Sequence, residues 1–398
     1  MINKNNFSIY RNNPNLIYLD YAATTFMPDS VIEAWNEFQS NIGVTINRGS
    51  GFLSIKAQEI FNVSKKIIKE FFNTSKEYEI IFTKNSTESL NLLANTISER
   101  VNPGDYILIS PFEHHSNILP WKSIAEKVGA SVVMLPLLEN NDLDYNFIDN
   151  LPKNKIKIIS ISMISNINSS KVNLRKISQI AKESNAYLIY DVSQATGHIR
   201  LDFSFIDADA YVMSAHKMYG PKNIGACIIK KSLLDTLPPF LLGGGMVWNT
   251  LGGKPEWHQG TLKYLAGTFD IGLIYAWSKA CEFLKKLNVE KIEKFENNFG
   301  EYVKSNLETI HELEIVKFGN ENINTMCSFN INKIHPHDLE EILSKEKIII
   351  RTGHMCSQNT LNILGKESLC RISWGIGSKT SDIDKLIEVI KKGIQYER

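Results

Sequence analysis

Ser214-Ala215-His216-Lys217-Met218-Tyr219-Gly220-Pro221 is the stretch from which the fold is most readily read. Tyr211-Val212-Met213 before it reads as the end of a buried strand, and Asn223-Ile224-Gly225-Ala226-Cys227-Ile228-Ile229 after it as another. An ammonium held between two buried strands is costly unless it is paired or chemically converted. A desolvated lysine has a lowered pKa and can form a Schiff base with an aldehyde. The alternative is a surface lysine in a turn announced by Gly220-Pro221. The octapeptide alone leaves both open.

The chain has 398 residues, more than one compact core usually holds, so two packed domains are expected. Hydrophobic content of 43% and charged content of 22% are those of a soluble globular protein. A net charge of +1, from 44 basic and 43 acidic residues, offers no electrostatic footprint for nucleic acid or an anionic membrane. Met1 to Asn15 is polar and Asn-rich, without the apolar core of a signal peptide, and no run is long enough for a membrane span; a cytoplasmic protein is expected. Five cysteines (Cys227, Cys281, Cys327, Cys356, Cys370) are scattered, with no C-x-x-C, so neither a disulfide framework nor a zinc site is suggested. Cys227 and Cys327 sit in strand-like runs, whereas Cys356 follows Arg351-Thr352-Gly353-His354-Met355 in a polar, loop-like context where a thiol could be exposed.

Outward from Lys217, strands and helices alternate. Leu16 to Asp20 reads as a strand, followed by the small-residue turn Tyr21-Ala22-Ala23-Thr24-Thr25. A helix opening at Pro28-Asp29 has Val31, Ala34, Trp35 and Phe38 at helical spacing, and a longer one has Ile60, Val63, Ile67, Ile68 and Phe71 on one face. Strands are expected at Glu79 to Phe82, Tyr106 to Ile109, Ser131 to Leu135, Ile156 to Ile161 and Tyr187 to Tyr190. Between them lie helices at Ser86 to Ile97, Asn117 to Val128 and Leu174 to Glu183. These strands are continuous apolar runs, as in a mostly parallel sheet covered on both faces. Helices follow at Ile271 to Leu287 and Glu290 to Leu307. A smaller α+β unit then has strands at Met326 to Ile331, Ile348 to Arg351 and Cys370 to Ser373, with helices at Asp338 to Leu343 and from Asp382. The expected division is an N-terminal arm (1–15), a large α/β domain (16–268) and a small α+β domain (269–398).

Polar residues collect after strand ends, where open α/β sheets bind ligands. Thr83-Lys84-Asn85-Ser86-Thr87-Glu88 leads into a helix and suits a phosphate, or is a simple N-cap. Glu113-His114-His115-Ser116-Asn117 offers metal ligands, a stacking surface or plain loop residues; no metal-type spacing accompanies it, so no metal is expected. Asp191, in Asp191-Val192-Ser193-Gln194, is a carboxylate at a buried strand end that needs donors or a cation, unless it caps a turn. A carboxylate, a phosphate-type helix start, an imidazole and a lysine together match the needs of pyridoxal phosphate.

By these motifs, from Tyr18-Leu19-Asp20-Tyr21-Ala22-Ala23-Thr24-Thr25 to the last helix, the chain resembles the class V aminotransferases of fold type I. Within them it is most similar to the SUF-type cysteine desulfurases and selenocysteine lyases. The resemblance implies a seven-stranded-type, mostly parallel sheet in the large domain. It implies that Lys217 binds the cofactor covalently, that His114 stacks on its ring, that Asp191 pairs with its pyridine nitrogen and that Gln194 bonds its phenolic oxygen. Ser86, Thr87, Ser214 and His216 would hold the phosphate. Thr268, in Ala266-Gly267-Thr268, would reach the site of a neighbouring subunit, which implies a homodimer with shared sites. Asn166 would contact cofactor and substrate, and Arg371 would bind the substrate carboxylate as a bidentate pair; Arg351 is a further candidate for substrate contact. Cys356 stands where desulfurases place their catalytic cysteine. His337, in His335-Pro336-His337-Asp338, matches a position that engages a sulfur-acceptor protein in some relatives, although the stretch is also explicable as an N-cap. The implied reaction converts L-cysteine to L-alanine. Lys217 serves as base for the α-proton, and Cys356 takes the sulfur as a persulfide and passes it on, as in iron–sulfur cluster assembly.

Four departures accompany the resemblance. The Arg-Gly-x-His pattern is Arg48-Gly49-Ser50-Gly51, and Ser-Asn-x-x-Gly is Ser165-Asn166-Ile167-Asn168-Ser169, which places a side chain near the substrate. His-His-Cys is His354-Met355-Cys356, and Asp-Gly/Ala-Ala/Ser-Gln is Asp191-Val192-Ser193-Gln194. The cofactor set is intact while the substrate set is altered. The rival readings are therefore another enzyme of the same class (a selenocysteine lyase, a cysteine or cystine β-lyase, or an epimerase) and a non-catalytic scaffold.

Overall fold

Largely apolar strands need cover on both faces, and all seven strands of the main sheet place apolar side chains in cores on both of its faces. The computed structural model describes residues 4–46, 49–251, 253–319 and 321–396. Seven strands form one sheet in the order Tyr78–Thr83, Gly225–Lys230, Ala210–Ser214, Tyr187–Asp191, Ile156–Ser162, Tyr106–Ile109, Ser131–Met134. Only Gly225–Lys230 runs against its neighbours. Alternate side chains enter different cores: Ile159, Ile161, Tyr211, Met213 and Ile228 on one face, Ile158, Val212, Cys227 and Ile229 on the other. Helices Phe52–Phe71, Leu174–Ser184 and Ile271–Leu287 supply apolar residues to the first core. Ser86–Ile97 and Leu119–Val128 close the second.

The reversal at Gly225–Lys230 turns the Lys217 segment into the connection between two adjacent antiparallel strands. Tyr219 has φ 65° and Gly220 N donates to Ala215 O at 2.9 Å, so the chain doubles back tightly there. A Cβ on Gly220 would lie 2.9 Å from both Cβ and O of Ala215. Thr83, Gly225 and Ser214 fall in one cross-strand row. A Cβ at Gly225 would stand 2.5 Å from Met213 O and 2.7 Å from Asn85 Cα, so only glycine lets the loop after Thr83 settle beside the loop after Ser214.

A second sheet, all antiparallel, has the order Leu313–Ile315, Met326–Ile331, Leu369–Ser373, Arg351–Gly353. Residues 17–18 pair in parallel with 348–349, and Asp20 bridges to Ser373, so the first strand is anchored on this sheet. The single strand expected from Ile348 to Arg351 is thereby divided. Ile348–Ile349 pairs with Ile17–Tyr18 and Arg351–Gly353 with Leu369–Arg371, the chain changing partner at Ile350.

Two helix faces differ from expectation. In Asp29–Asn41 the buried residues are Val31, Ala34 and Phe38, while Trp35 is 39% exposed. Phe52–Phe71 buries Ala57, Phe61, Ser64 and Ile68, and Val63 is 57% exposed. That face is set by small residues: Ser64 Oγ lies 3.4 Å from Ser278 Oγ on helix Ile271–Leu287. The helix expected from Asn117 starts as a 3₁₀ turn, His115–Asn117, before Leu119–Val128. All five cysteines are free; Cys356 is exposed and the other four are buried. No helix among the described residues is long and apolar enough to cross a membrane.

Gly225→Ala overpacks this row and is expected to cost about 1–3 kcal/mol, read as a lower urea midpoint at unchanged slope. An unshifted midpoint would mean that the two loops can separate without loss.

Candidate active site

The strands that end at Thr83, Ile109, Ser162, Asp191 and Ser214 release their loops on the same edge of the sheet, and a cavity of about 300 Å³ opens there. Ser86, Thr87, His114, Asn166, Asp191, Gln194, Ser214, His216, Lys217, Arg351, Cys356 and Arg371 all line it. Thr268 does not. It borders a separate cavity of about 390 Å³ with Thr45, Val247 and His258, which gathers none of the other candidates.

At one end the helix start is capped by Asn85, whose side chain accepts from Glu88 N at 2.9 Å, while Glu88 Oε2 accepts from Lys84 N. Capping by Asn85 leaves Ser86 and Thr87 to line the cavity at the positive end of a 12-residue helix, a place that favours an anion. Ser214 Oγ ties in by accepting from Ser86 N at 2.9 Å and lying 3.0 Å from Ser86 Oγ. His216 is fixed by Thr24 and Thr25: its Nδ1 is 3.1 Å from Thr24 Oγ1, and its carbonyl accepts from Thr25 N and Thr25 Oγ1. Burial lowers the His216 pKa to about 4, with Lys217 and Lys222 adding to the effect.

Burial also lowers the pKa of Lys217; Asp191 opposes the shift and Arg371 reinforces it. A greater share of Lys217 is therefore the neutral, nucleophilic amine than at an exposed site. Asp191 is buried and accepts from Ser193 N at 2.9 Å. Gln194 Nε2 donates to Ala22 O at 2.9 Å, so the turn after the first strand orients it. His114 Nδ1 accepts from Ser116 N at 3.1 Å and lies 2.8 Å from Ser116 Oγ, which places the ring proton on Nε2. Burial, with Lys217 next, drives the His114 pKa down to about 3, so the ring is a neutral platform.

The opposite wall comes from the second sheet. Arg351 and Arg371 are direct cross-strand partners, an arrangement of like charges that is unfavourable alone. Asp20 resolves it. Its Oδ2 accepts from Arg351 Nη2 at 2.7 Å and Nε at 3.1 Å, and its Oδ1 from Arg371 Nη2 at 3.0 Å. Arg371 Nη1 donates to Asn166 O at 2.7 Å, and Arg371 Nε is buried with no acceptor among the described residues. Arg371 also lines the cavity, and a guanidinium there suits a carboxylate ligand.

Cys356 is carried on a loop in which Met355 and Cys356 both take left-handed backbone, φ 47° and 55°. Asn166 grips this loop, donating from Nδ2 to Met355 O at 2.9 Å and accepting from Ser357 Oγ at 3.0 Å. Ser169, expected near the substrate, does not line the cavity. Its φ of 59° is the one a glycine would adopt, and its hydroxyl turns away to Asn322 Oδ1 at 2.7 Å. Arg48 lies outside the described residues. His337 is exposed, with Nδ1 3.1 Å from Thr352 Oγ1, and His335 caps the helix by accepting from His337 N at 3.3 Å. No group of three or more His, Cys, Asp or Glu side chains suited to a metal ion occurs among the described residues.

Three contributors escaped the sequence reading. Asp20 shows the signal that flagged Asp191, a carboxylate at a strand end, but its arginine partners are more than 300 positions away. Ser116 sets the His114 tautomer from two residues on. Glu113 lies fully buried beneath the loop, accepting from Asn117 Nδ2 at 2.6 Å and from Ser162 N at 2.9 Å. Burial raises its pKa to about 7.

Comparison with known proteins finds relatives along nearly the whole chain. The aminotransferase class-V family model matches residues 17–386. A cysteine desulfurase from Wigglesworthia glossinidia brevipalpis is 35% identical over 97% of this chain and 95% of its own length. One from an Escherichia coli strain is 31% identical over 95% and 93%. Among solved structures, an apo cysteine desulfurase from Thermococcus onnurineus superposes with a TM-score of 0.92 at 27% identity, covering 98% of this chain and 97% of that one. An Escherichia coli cysteine desulfurase in an S-sulfonic acid form gives 0.91 at 25% identity, covering 99% and 98%.

A histidine held neutral in the fold contributes stability that is complete above its unfolded pKa of 6.5 and drains as pH falls toward 3. Glu113, held up, acts in the opposite sense between 4.5 and about 7, so it offsets part of the loss. Subtracting His114→Gln isolates the histidine. In ligand-free protein, the stability of wild type minus that of H114Q is expected to fall by about 1.4 kcal/mol per pH unit between roughly pH 6 and 4. Parallel denaturation profiles over that range would contradict a neutral His114.

Proposed function

The chain belongs to the aminotransferase class-V family, and we propose that it is a pyridoxal-phosphate-dependent cysteine desulfurase that takes sulfur from L-cysteine onto Cys356 and releases L-alanine. The observation that carries the reading is the opening of Lys217, Asp191, His114 and the exposed Cys356 on one cavity.

The residues present fit the cofactor. The helix start at Ser86 and Thr87, with Ser214 and His216, forms a donor set for its phosphate. Sharing one cavity, Asp191 would keep a pyridine nitrogen protonated, neutral His114 would lie against the ring, Gln194 would meet the phenolic oxygen, and Lys217 would bind the aldehyde. Bound there, pyridoxal phosphate supplies an electron sink that acidifies the substrate α-proton and weakens the bond from Cβ to sulfur.

The chain's own groups do the rest. Arg371, which lines the cavity, receives the substrate carboxylate, and Asp20 keeps that guanidinium in place against Arg351. Asn166 contacts the same substrate end and touches both Arg371 and the Cys356 loop. Lys217 Nζ, its basicity reduced by burial, removes the α-proton and returns it during turnover. The Cys356 thiolate attacks the substrate sulfur. A sulfur–sulfur bond forms as the carbon–sulfur bond breaks, the electron pair leaves with carbon, and protonation of that carbon gives alanine. The persulfide on an exposed loop can then be passed to an acceptor. Assignment to a homodimer, with Thr268 serving the neighbouring subunit's site, is supported by its position away from this cavity and by the exposure of Trp248 and Leu251 (72% and 85%). A cytoplasmic sulfur-supply role in iron–sulfur assembly, with an acceptor protein near His337, completes the reading.

Supplied with pyridoxal phosphate and L-cysteine, the protein is expected to release alanine and, with a reductant, sulfide. Cys356→Ala is expected to lower that turnover by at least about 100-fold while retaining the visible band of bound cofactor. Full turnover in C356A would exclude the persulfide route and indicate β-lyase or epimerase chemistry.

A further inference from the structure

His115 follows the ring-stacking candidate and has no assigned role, yet it is packed against the segment that carries Cys356. Its backbone N–H donates to Cys356 O at 2.7 Å, and its ring Nε2 accepts from Gln358 N at 3.3 Å. It therefore holds the chain on both sides of Ser357. Gln358 opens the helix Gln358–Ile363, whose N-cap residue is Ser357. The Ser357 hydroxyl donates to Asn166 Oδ1 and makes no capping bond, and the ring of His115 receives the first N–H of the helix, one of those with no intrahelical acceptor. On the other side of the cysteine, His354 Nδ1 accepts from Cys356 N at 3.3 Å, and the His115 and His354 rings lie 5.8 Å apart. Two successive left-handed residues with side chains persist only where surrounding contacts over-determine them. Here those contacts are Asn166, His354 and His115.

Resting on the reading of Cys356 as the sulfur-accepting thiol, we propose that His115 is a positioning residue whose backbone and ring grip Cys356 and Gln358 and so keep Met355 and Cys356 in the left-handed conformation that presents that thiol to the cavity. The ring acts as an acceptor, which requires an unprotonated Nε2; burial, with His354 beside it, lowers the His115 pKa in that direction.

Two substitutions in the holoenzyme separate this role from general support of the fold. His115→Phe keeps the ring and removes the acceptor, and His115→Gln keeps an acceptor oxygen. Each is assayed for exchange of the L-alanine α-hydrogen with deuterated solvent, which needs Lys217 but no thiol, and for alanine formation from L-cysteine. H115F is expected to exchange at close to the wild-type rate and to lose roughly 10- to 100-fold in kcat for desulfuration with little change in KM; H115Q is expected to recover most of the loss. Equal losses in both assays, or no loss in either, would overturn the proposal. Cys356→Ala in the same series tests the underlying reading separately: full desulfuration there sinks the role of the thiol whatever His115 does. Should H115F fail to fold, alkylation of Cys356 by iodoacetamide in H115Q and His115→Asn replaces it. A changed rate in H115N but not in H115Q supports the proposal, and identical rates in both overturn it.

Discussion

An amine buried where a fully covered sheet ends is the constraint around which this molecule is arranged. Both faces of the seven strands are occupied by apolar side chains, so polar groups can collect only beyond the strand ends. The one reversed strand, Gly225–Lys230, folds the chain back beside Ser214 and brings Lys217 down among those ends. A Cβ at Gly225 would separate the two loops, so glycine there is as much a part of the site as the groups that line it. Burial then sets the protonation of what has been assembled. It lowers the pKa values of Lys217, His114 and His216 together, which favours the neutral form of each.

The second sheet supplies the opposing charge pattern. Two arginines face each other across a strand pair, and the cost is offset by one buried carboxylate delivered from the first strand of the chain. Asp20 thus links the start of the chain to its last strand across the mouth of the cavity. Asn166 extends that link, taking Arg371 on its carbonyl and the Cys356 loop on its amide. A substrate carboxylate received by Arg371 is therefore one residue removed from the thiol that would accept its sulfur.

Much of this was legible in the residues. Strand limits such as Tyr106–Ile109 and Met326–Ile331, and helices such as Ser86–Ile97 and Ile271–Leu287, follow from apolar runs and periodicity, and they agree with the structure. Helix faces were less legible where small residues decide the contact. Ala57 and Ser64 are buried in Phe52–Phe71 because another helix approaches closely, whereas the larger Val63 is left outside. The division of 348–353 between two partner strands, the two arginines on Asp20 and the clamp on Cys356 all join residues far apart in sequence. No local pattern encodes such pairings. The meaning of Ser169 was likewise hidden, because only the backbone shows that its side chain turns away from the cavity.

As proposed, Lys217 is the cofactor's covalent anchor in this cavity. Borohydride reduction of the protein equilibrated with pyridoxal phosphate, followed by peptide mass mapping, tests it most directly. One phosphopyridoxyl group per chain is expected, located on Lys217. A label on any other lysine, or no label under saturating cofactor, would contradict it.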